Sequence, residues 1–218
     1  MITVSAFAWV PPFARGLVRD LRVRWALEEV GLPYQAKLIG ADDKNSAAYR
    51  AMQPFGQVPF YQENDLVLFE SGAILLHIAG KSDVLMPADA EARARVTAWM
   101  FAALNTIEPY IANLTTIDLF NADQEWAKTR RPAELEKVQT RLAALSQQLA
   151  TRDYLEAGRF TVADLLMTTV LRIPRHCDVL AQYPALDAYR QRCEARPAFK
   201  RALDAQMGDY AEQPPAAA

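Results

Sequence analysis

Hydrophobic and polar positions follow two rhythms along this chain, and the change comes near residue 81. Before it the element types alternate. A mostly apolar run over 2–8 reads as a strand, followed by the stiff loop Val10-Pro11-Pro12. Helical spacing then holds over 16–30, with Gly31 and Pro33 as its stop. Residues 34–39 read as a second strand, and "ADDKNSAAYRAM" (41–52) as a loop with one helical turn. Two more strand-like runs, 58–61 and 66–69, flank the polar turn Glu63-Asn64-Asp65 and predict a hairpin. Ser71 is placed to cap a helix over 72–79, its hydroxyl accepting from an otherwise orphan N–H. The order β-α-β-(short α)-β-β-α describes a small α/β unit with a mixed sheet.

Beyond "KSDVLMPADA" the strand signals stop. Val96, Met100, Ala103, Leu104 and Ile107 recur at helical spacing, and Leu135, Val138, Leu142, Leu145 and Leu149 draw a continuous apolar stripe. Thr161, followed three residues later by Asp164, makes a capping box with Phe160 and Leu165 at the staple positions. The helix it opens, over 162–172, is apolar on nearly every side and belongs at the centre of its domain. The chain therefore divides into an α/β domain over 1–81, a linker over 82–88 and an all-helical domain over 89–218. The tail "EQPPAAA" is expected to fray.

Composition narrows the function. With 51% hydrophobic and 23% charged residues the chain is globular rather than disordered. A formal net charge of −2 supplies no general field for nucleic acid or an anionic membrane. Cys177 and Cys193 form no CxxC and read as reduced thiols. His77 and His176 have no partner pattern for a metal or a triad, so both read as structural and no metal is expected. The N-terminal residues lack the basic and apolar regions of a signal peptide, and no apolar run reaches the roughly 20 residues that span a bilayer. A cytoplasmic protein is the expectation.

One stretch resists a purely structural account. In "QPFGQVPF" (53–60), Pro59 removes a ladder donor from the middle of an apolar strand signal. A little further on, Glu70-Ser71 stands at a helix start, where free N–H groups and the helix dipole favour an anion.

These stretches, with "RVRWALEEVGLPYQ" (22–35), "LFESGAILLHIA" (68–79), the transition near 87–100 and "GRFTVADLLMTTVL" (158–171), resemble the cytosolic glutathione transferase superfamily in order and spacing over nearly the whole chain. The resemblance implies a thioredoxin-like N-terminal domain (βαβ–ββα) followed by an all-α C-terminal domain. It also implies a cis Val58–Pro59 bond that presents Val58 to the cysteinyl part of glutathione, which adds itself like a strand. Ser71 then takes the γ-glutamyl carboxylate and Glu70 its ammonium. Gln57 touches the peptide backbone or glycyl end, and Lys44 or Arg50 neutralises the glycyl carboxylate. Phe13, Leu104, Ile107, Tyr110 and Ile111 are the expected acceptor pocket, glutathione is the co-substrate, and a homodimer with a detoxification role is typical.

The chain departs from the family where the glutathione thiol is activated. The family uses a Tyr, Ser or Cys after the first strand. Here "SAFAWVPPFARGLVRDLRVRW" has no Tyr or Cys, and its one serine, Ser5, lies early in the strand. Counting forward puts Trp9 or Val10 at the catalytic position, and counting back puts Phe13 or Leu17 there. Three substitutes remain: the Trp9 indole N–H, the Arg15 cation (the first choice), and bare N–H groups of Gly16 and Leu17 at the helix start. Arg19 and Arg22 share a helical face with Arg15, and a solvated position is expected for Arg22. The leading expectation is an enzyme that conjugates glutathione to a small hydrophobic electrophile, or uses it for reduction or isomerisation. The alternatives are a glutathione- or hydrophobe-binding protein without efficient catalysis, and an interaction module.

Overall fold

The computed structural model describes residues 1–40 and 42–212; most of the tail expected to fray, 213–218, lies outside them. The chain forms two compact units, one of Met1–Leu85 together with the chain from Arg196 onward, the other of Met86–Ala195.

The first unit is built on four strands, β1 (Ile2–Phe7), β2 (Tyr34–Ile39), β3 (Tyr61–Glu63) and β4 (Leu66–Leu68), in the order β2-β1-β3-β4. β1 and β2 are parallel, from Ile2 opposite Tyr34 to Phe7 opposite Ile39. That pairing needs a crossover, supplied by helix α1 (Asp20–Val30). β3 runs antiparallel to both β1 and β4, so the sheet is mixed, as expected. Between β2 and β3 lies α2 (Ala47–Arg50), capped by Ser46, which accepts from the Tyr49 N–H at 3.2 Å.

Three boundaries differ from the sequence expectation, each for a local reason. Helix α1 starts at Asp20 rather than 16, because Gly16 takes a left-handed backbone (φ 75°) and the Leu17 N–H is spent on the Ala14 carbonyl at 3.0 Å. Strand β3 starts at Tyr61 rather than 58. Pro59 has no N–H, and Phe60 is bound to β1 through Ser5 instead of to β4. Helix α3 (Ser71–Ala79) includes Ser71 as its first residue, while Glu70 is the N-cap. Ser71 is therefore no cap; its hydroxyl has another partner.

Residues Asp20–Leu27 of α1 are all buried, because α1 is covered on one side by α3 and on another by a helix from the far end of the chain, Pro197–Gly208. That helix buries Ala198, Phe199, Ala202 and Gln206. Phe199 meets Trp25 edge-on at 4.8 Å, and Arg196 forks onto Glu29 at 2.6 and 2.7 Å. The sequence division 89–218 thus ends on a helix that packs into the first unit.

The second unit begins with α4 (Ala90–Phe101), a π-helical segment (Ala102–Ile107) and α5 (Glu108–Phe120). Pro109 cannot donate to the carbonyl four residues back, which explains why the regular ladder loosens just before it. Helices α6 (Glu125–Leu149), α7 (Val162–Leu171) and α8 (Pro184–Glu194) follow, and Pro197–Gly208 of the first unit is α9. All ten residues of α7 are buried. The Asp164 carboxylate accepts from the Leu155 and Thr161 N–H groups at 2.8 Å and from the Thr161 and Tyr189 hydroxyls at 2.9 and 3.0 Å. The capping box read from sequence is in place.

Candidate functional site

The loop after the Gln53–Gly56 turn is held from beneath by two side chains that sequence reasoning did not select. The Tyr49 hydroxyl donates to the Gln57 carbonyl at 2.7 Å, so the 2.9 Å contact between Tyr49 and Ser5 leaves Ser5 as its donor there. Ser5 Oγ in turn accepts the Phe60 N–H at 2.7 Å, and the Ser5 N–H donates to the Phe60 carbonyl at 3.0 Å. Ser5 is fully buried. Both ends of Gln57–Phe60 are therefore fixed to the sheet, and the one serine of the first strand is committed to that task.

Val58–Pro59 is cis. The Val58 side chain packs inward with Ile39, Tyr49 and Phe60, and Phe7 and Val18 close the cluster. Its main-chain N–H and C=O make no hydrogen bond among the described residues. The turn before it needs Gly56 (φ 62°), where a Cβ would sit 2.9 Å from the Lys44 carbonyl. Of the two candidate cations nearby, the Arg50 guanidinium is engaged by the Pro54 carbonyl (2.8 Å) and Asn45 (3.1 Å). The Lys44 ammonium and the exposed Gln57 amide have no side-chain partner among the described residues.

At the start of α3, Glu70 holds a backbone that a side chain disfavours (φ 67°, ψ 112°). Such strain of about 1–3 kcal/mol persists only where the surroundings impose it. Its carboxylate is exposed and unpaired among the described residues. Ser71 is buried, and its Oγ accepts from Arg22 Nη1 at 3.1 Å. This corrects the expectation of a solvated Arg22: the residue is 2% exposed and puts a cation behind the helix N-terminus. Its signal in sequence is faint, one of several arginines in and just before a helix with little polar face to spare.

The first-strand loop is organised differently. After the Ala8 N–H donates to Ile39 at 2.9 Å, the chain makes a short 3-10 turn (Pro12–Ala14) before Gly16. The Leu17 N–H is occupied, as described above, so the helix-start donors expected at Gly16 and Leu17 are not the first turn of α1. Trp9 is half-buried, and its indole N–H has no partner among the described residues. Arg15 Nη2 donates to the Ala211 carbonyl at 3.1 Å, and the guanidinium lies 5.6 Å from the Tyr210 ring. The Ala211 N–H continues beyond β1 by donating to the Ala8 carbonyl at 2.8 Å. The segment after α9 thus straps the loop that holds Trp9 and Arg15. Behind it, Asp20 accepts from Arg24 Nε and Gln206 Nε2 at 2.8 Å each, and Arg24 Nη2 also reaches Asp209 at 2.6 Å. Burial raises the Asp20 carboxyl to about 6, despite the opposing pull of Arg24.

Of the expected acceptor residues, Phe13 is exposed in the first unit. In the second unit Ile107 and Ile111 are buried, while Leu104 and Tyr110 are half-buried, and the Arg141 guanidinium covers the Tyr110 ring at 3.2 Å. The histidines are not isolated. His77 contacts Glu63 at 3.4 Å and Tyr61 edge-on, and His176 Nε2 lies 3.1 Å from Asp118 Oδ2.

A thioredoxin-like unit with a cation-backed helix start, followed along the chain by a helical unit, defines the class. The N-terminal domain model of glutathione S-transferases matches residues 14–80, and the C-terminal domain model matches 97–197. The chain belongs to the glutathione S-transferase family. It is 32% identical to glutathione S-transferase 3 of Zea mays, over 85% of this chain and 88% of that protein. It is 28% identical to glutathione S-transferase 4 of the same plant, over 91% of each. A glutathione transferase from Burkholderia graminis, solved with two glutathione molecules bound per subunit, shares the fold with a TM-score of 0.82 at 24% identity, covering 93% of this chain and 87% of that one.

Proposed function

We propose that this chain binds glutathione along residues 57–71 and uses its thiolate as the nucleophile toward a small hydrophobic electrophile. The observation that carries this reading is Val58. Its side chain is anchored inward while its main-chain donor and acceptor have no partner among the described residues, which is what an extended peptide needs to add itself as a strand. The γ-glutamyl carboxylate meets Ser71 with Arg22 behind it, and the ammonium meets Glu70. Gln57 takes the peptide backbone, and Lys44 the glycyl carboxylate. Solved neighbours of the same fold hold glutathione.

The sulfur then points to the loop of Trp9 and Arg15. A charge-assisted hydrogen bond there is worth about 1.5–3 kcal/mol, roughly one to two pKa units. That is enough to bring a thiol near 8.5 toward neutral pH. The thiolate sulfur donates its electron pair to the electrophilic carbon. A leaving group departs with the old bonding pair, or an unsaturated acceptor takes up a proton. Of the expected acceptor residues, the exposed Phe13 of the first unit is the one we assign to the acceptor side. The setting we assign is a cytoplasmic homodimer.

Glutathione titration followed by tryptophan fluorescence tests the reading. Saturable binding weakened by both Ser71→Ala and Glu70→Gln is expected. No saturable binding, or binding indifferent to both changes, overturns it. A second reading, a binder without efficient chemistry, is favoured by the absence of Tyr, Cys or an uncommitted Ser in the first-strand loop. An ultraviolet thiolate band in the complex near neutral pH decides for the enzyme.

A further inference from the structure

The second unit brings together three donor side chains that the proposed glutathione site does not use. Asp118 comes from α5, and His176 and Cys177 from the turns after α7. Although 58 residues separate Asp118 from His176, Nε2 of His176 lies 3.1 Å from Asp118 Oδ2. One donor atom of each of the three residues lies within 4.8 Å of the others. They border a cavity of about 380 Å³ that Ile117, Ala127 and Arg131 also line.

A structural histidine is ordinarily satisfied at both ring nitrogens. Here Nδ1 is buried with no hydrogen-bond partner among the described residues, so the aspartate at Nε2 satisfies one side of the ring. The thiol contacts the Pro174 carbonyl at 3.4 Å, and the Val179 N–H lies beside the sulfur. One thiol, one imidazole and one carboxylate form a mixed set that suits a thiophilic divalent cation rather than calcium or magnesium. Bonds of about 2.0–2.3 Å in a tetrahedron place donors about 3.3–3.8 Å apart. The His176–Asp118 pair is already near that spacing, and the remaining donor needs to close by about 1 Å. The opposing element is Arg131, which forks onto Asp118 at 2.6 and 3.0 Å. Its side chain is 42% exposed and can turn to water when a cation takes its place.

We propose that Asp118, His176 and Cys177 bind one zinc-like cation, with the fourth position open to the cavity. On binding, the Cys177 sulfur gives up its proton to solvent and coordinates as thiolate. Arg131 acts as the competitor that holds the empty site closed.

The test is made on the full chain, stripped with chelator and free of glutathione, whose own thiol would compete. Cobalt(II) is titrated while following the near-ultraviolet thiolate-to-metal band, and zinc(II) is titrated against a chromophoric chelator. One equivalent of each is expected. Cys177→Ser should abolish the band, His176→Gln should weaken zinc binding at least 10-fold, and Arg131→Met should tighten it several-fold. No band, or zinc affinity indifferent to Cys177→Ser and His176→Gln, overturns the proposal. Circular dichroism and thermal unfolding of the Cys177→Ser chain report folding separately. An unchanged unfolding profile beside a lost cobalt band supports the site, so its fate is independent of the glutathione reading.

Discussion

Two stretches of the first unit meet at the end of β1, and they are secured in different ways. Residues 57–71 are fixed from within. Ser5 and Tyr49 hold the loop, Arg22 holds Ser71, and the Val58 main chain and the Glu70 carboxylate keep no partner among the described residues. Residues 9–19 are fixed from outside, by a strap that arrives from the far end of the chain at Ala211 and Tyr210. The first arrangement suits a site that binds one constant ligand. The second makes the activating side dependent on a segment nearly 200 residues away, and no hydroxyl takes the family's usual place.

The largest effect tests the internal lock. Ser5→Ala leaves the Phe60 N–H and the Tyr49 hydroxyl with one partner fewer inside the core, at about 1–3 kcal/mol for each buried group left unpaired. A loss of about 2–5 kcal/mol is therefore expected in denaturant unfolding. Tyr49→Phe, which frees the Gln57 carbonyl and takes the acceptor from the Ser5 hydroxyl but spares the Phe60 N–H bond to Ser5, should cost less. Equal losses would mean that Ser5 is not the centre of the lock.

The anchoring of the strap can be read through pH. Asp20 rises from 3.8 to about 6 on burial. Between those values the folded chain keeps a proton that the unfolded chain has released. Stability therefore falls as pH rises through the window and levels off above about 6. The shift of about two units corresponds to roughly 3 kcal/mol. Asp164, also raised by burial, acts in the same direction. Glu63, lowered to about 2 by Lys81 and Tyr61, acts in the opposite one, losing stability as pH falls. Both cancel when wild type is compared with Asp20→Asn. The stability advantage of wild type over Asp20→Asn should shrink by up to about 3 kcal/mol from pH 4 to pH 7. Parallel profiles would show that Asp20 is ionised throughout.

Arg22 separates what was legible in sequence from what was not. Val58, Glu70 and Ser71 lie in two short stretches, so residue order alone carried them. Ser5, Tyr49 and Arg22 act on partners 44 to 55 residues away, and a buried arginine looks in sequence like a solvated one. The start of α1 was misplaced for a related reason: a left-handed Gly16 breaks the helix without disturbing the apolar period. The strap was illegible because nothing local in α9 says which unit it will cover. Arg22→Met should weaken glutathione about 10- to 100-fold, the equivalent of roughly 1.5–3 kcal/mol. An unchanged dissociation constant would reduce Arg22 to a packing element.

The smallest effect bears on the other stretch. Arg15→Ala should leave glutathione affinity within a few-fold, because the proposed hold on the peptide is 57–71. It should raise the apparent pKa of the bound thiol by about one unit, the lower end of what one charge-assisted contact supplies. A chain ending at Asp209 keeps Arg15 but loses the Ala211 and Tyr210 contacts that orient it. If Arg15 acts on the sulfur and the strap aims it, this truncation should move the thiol pKa in the same direction by a smaller amount, and add little to Arg15→Ala when the two are combined. Full additivity would mean that strap and arginine act separately. A pKa that stays in place in both variants would shift the activating role to the Trp9 indole, whose N–H has no partner among the described residues.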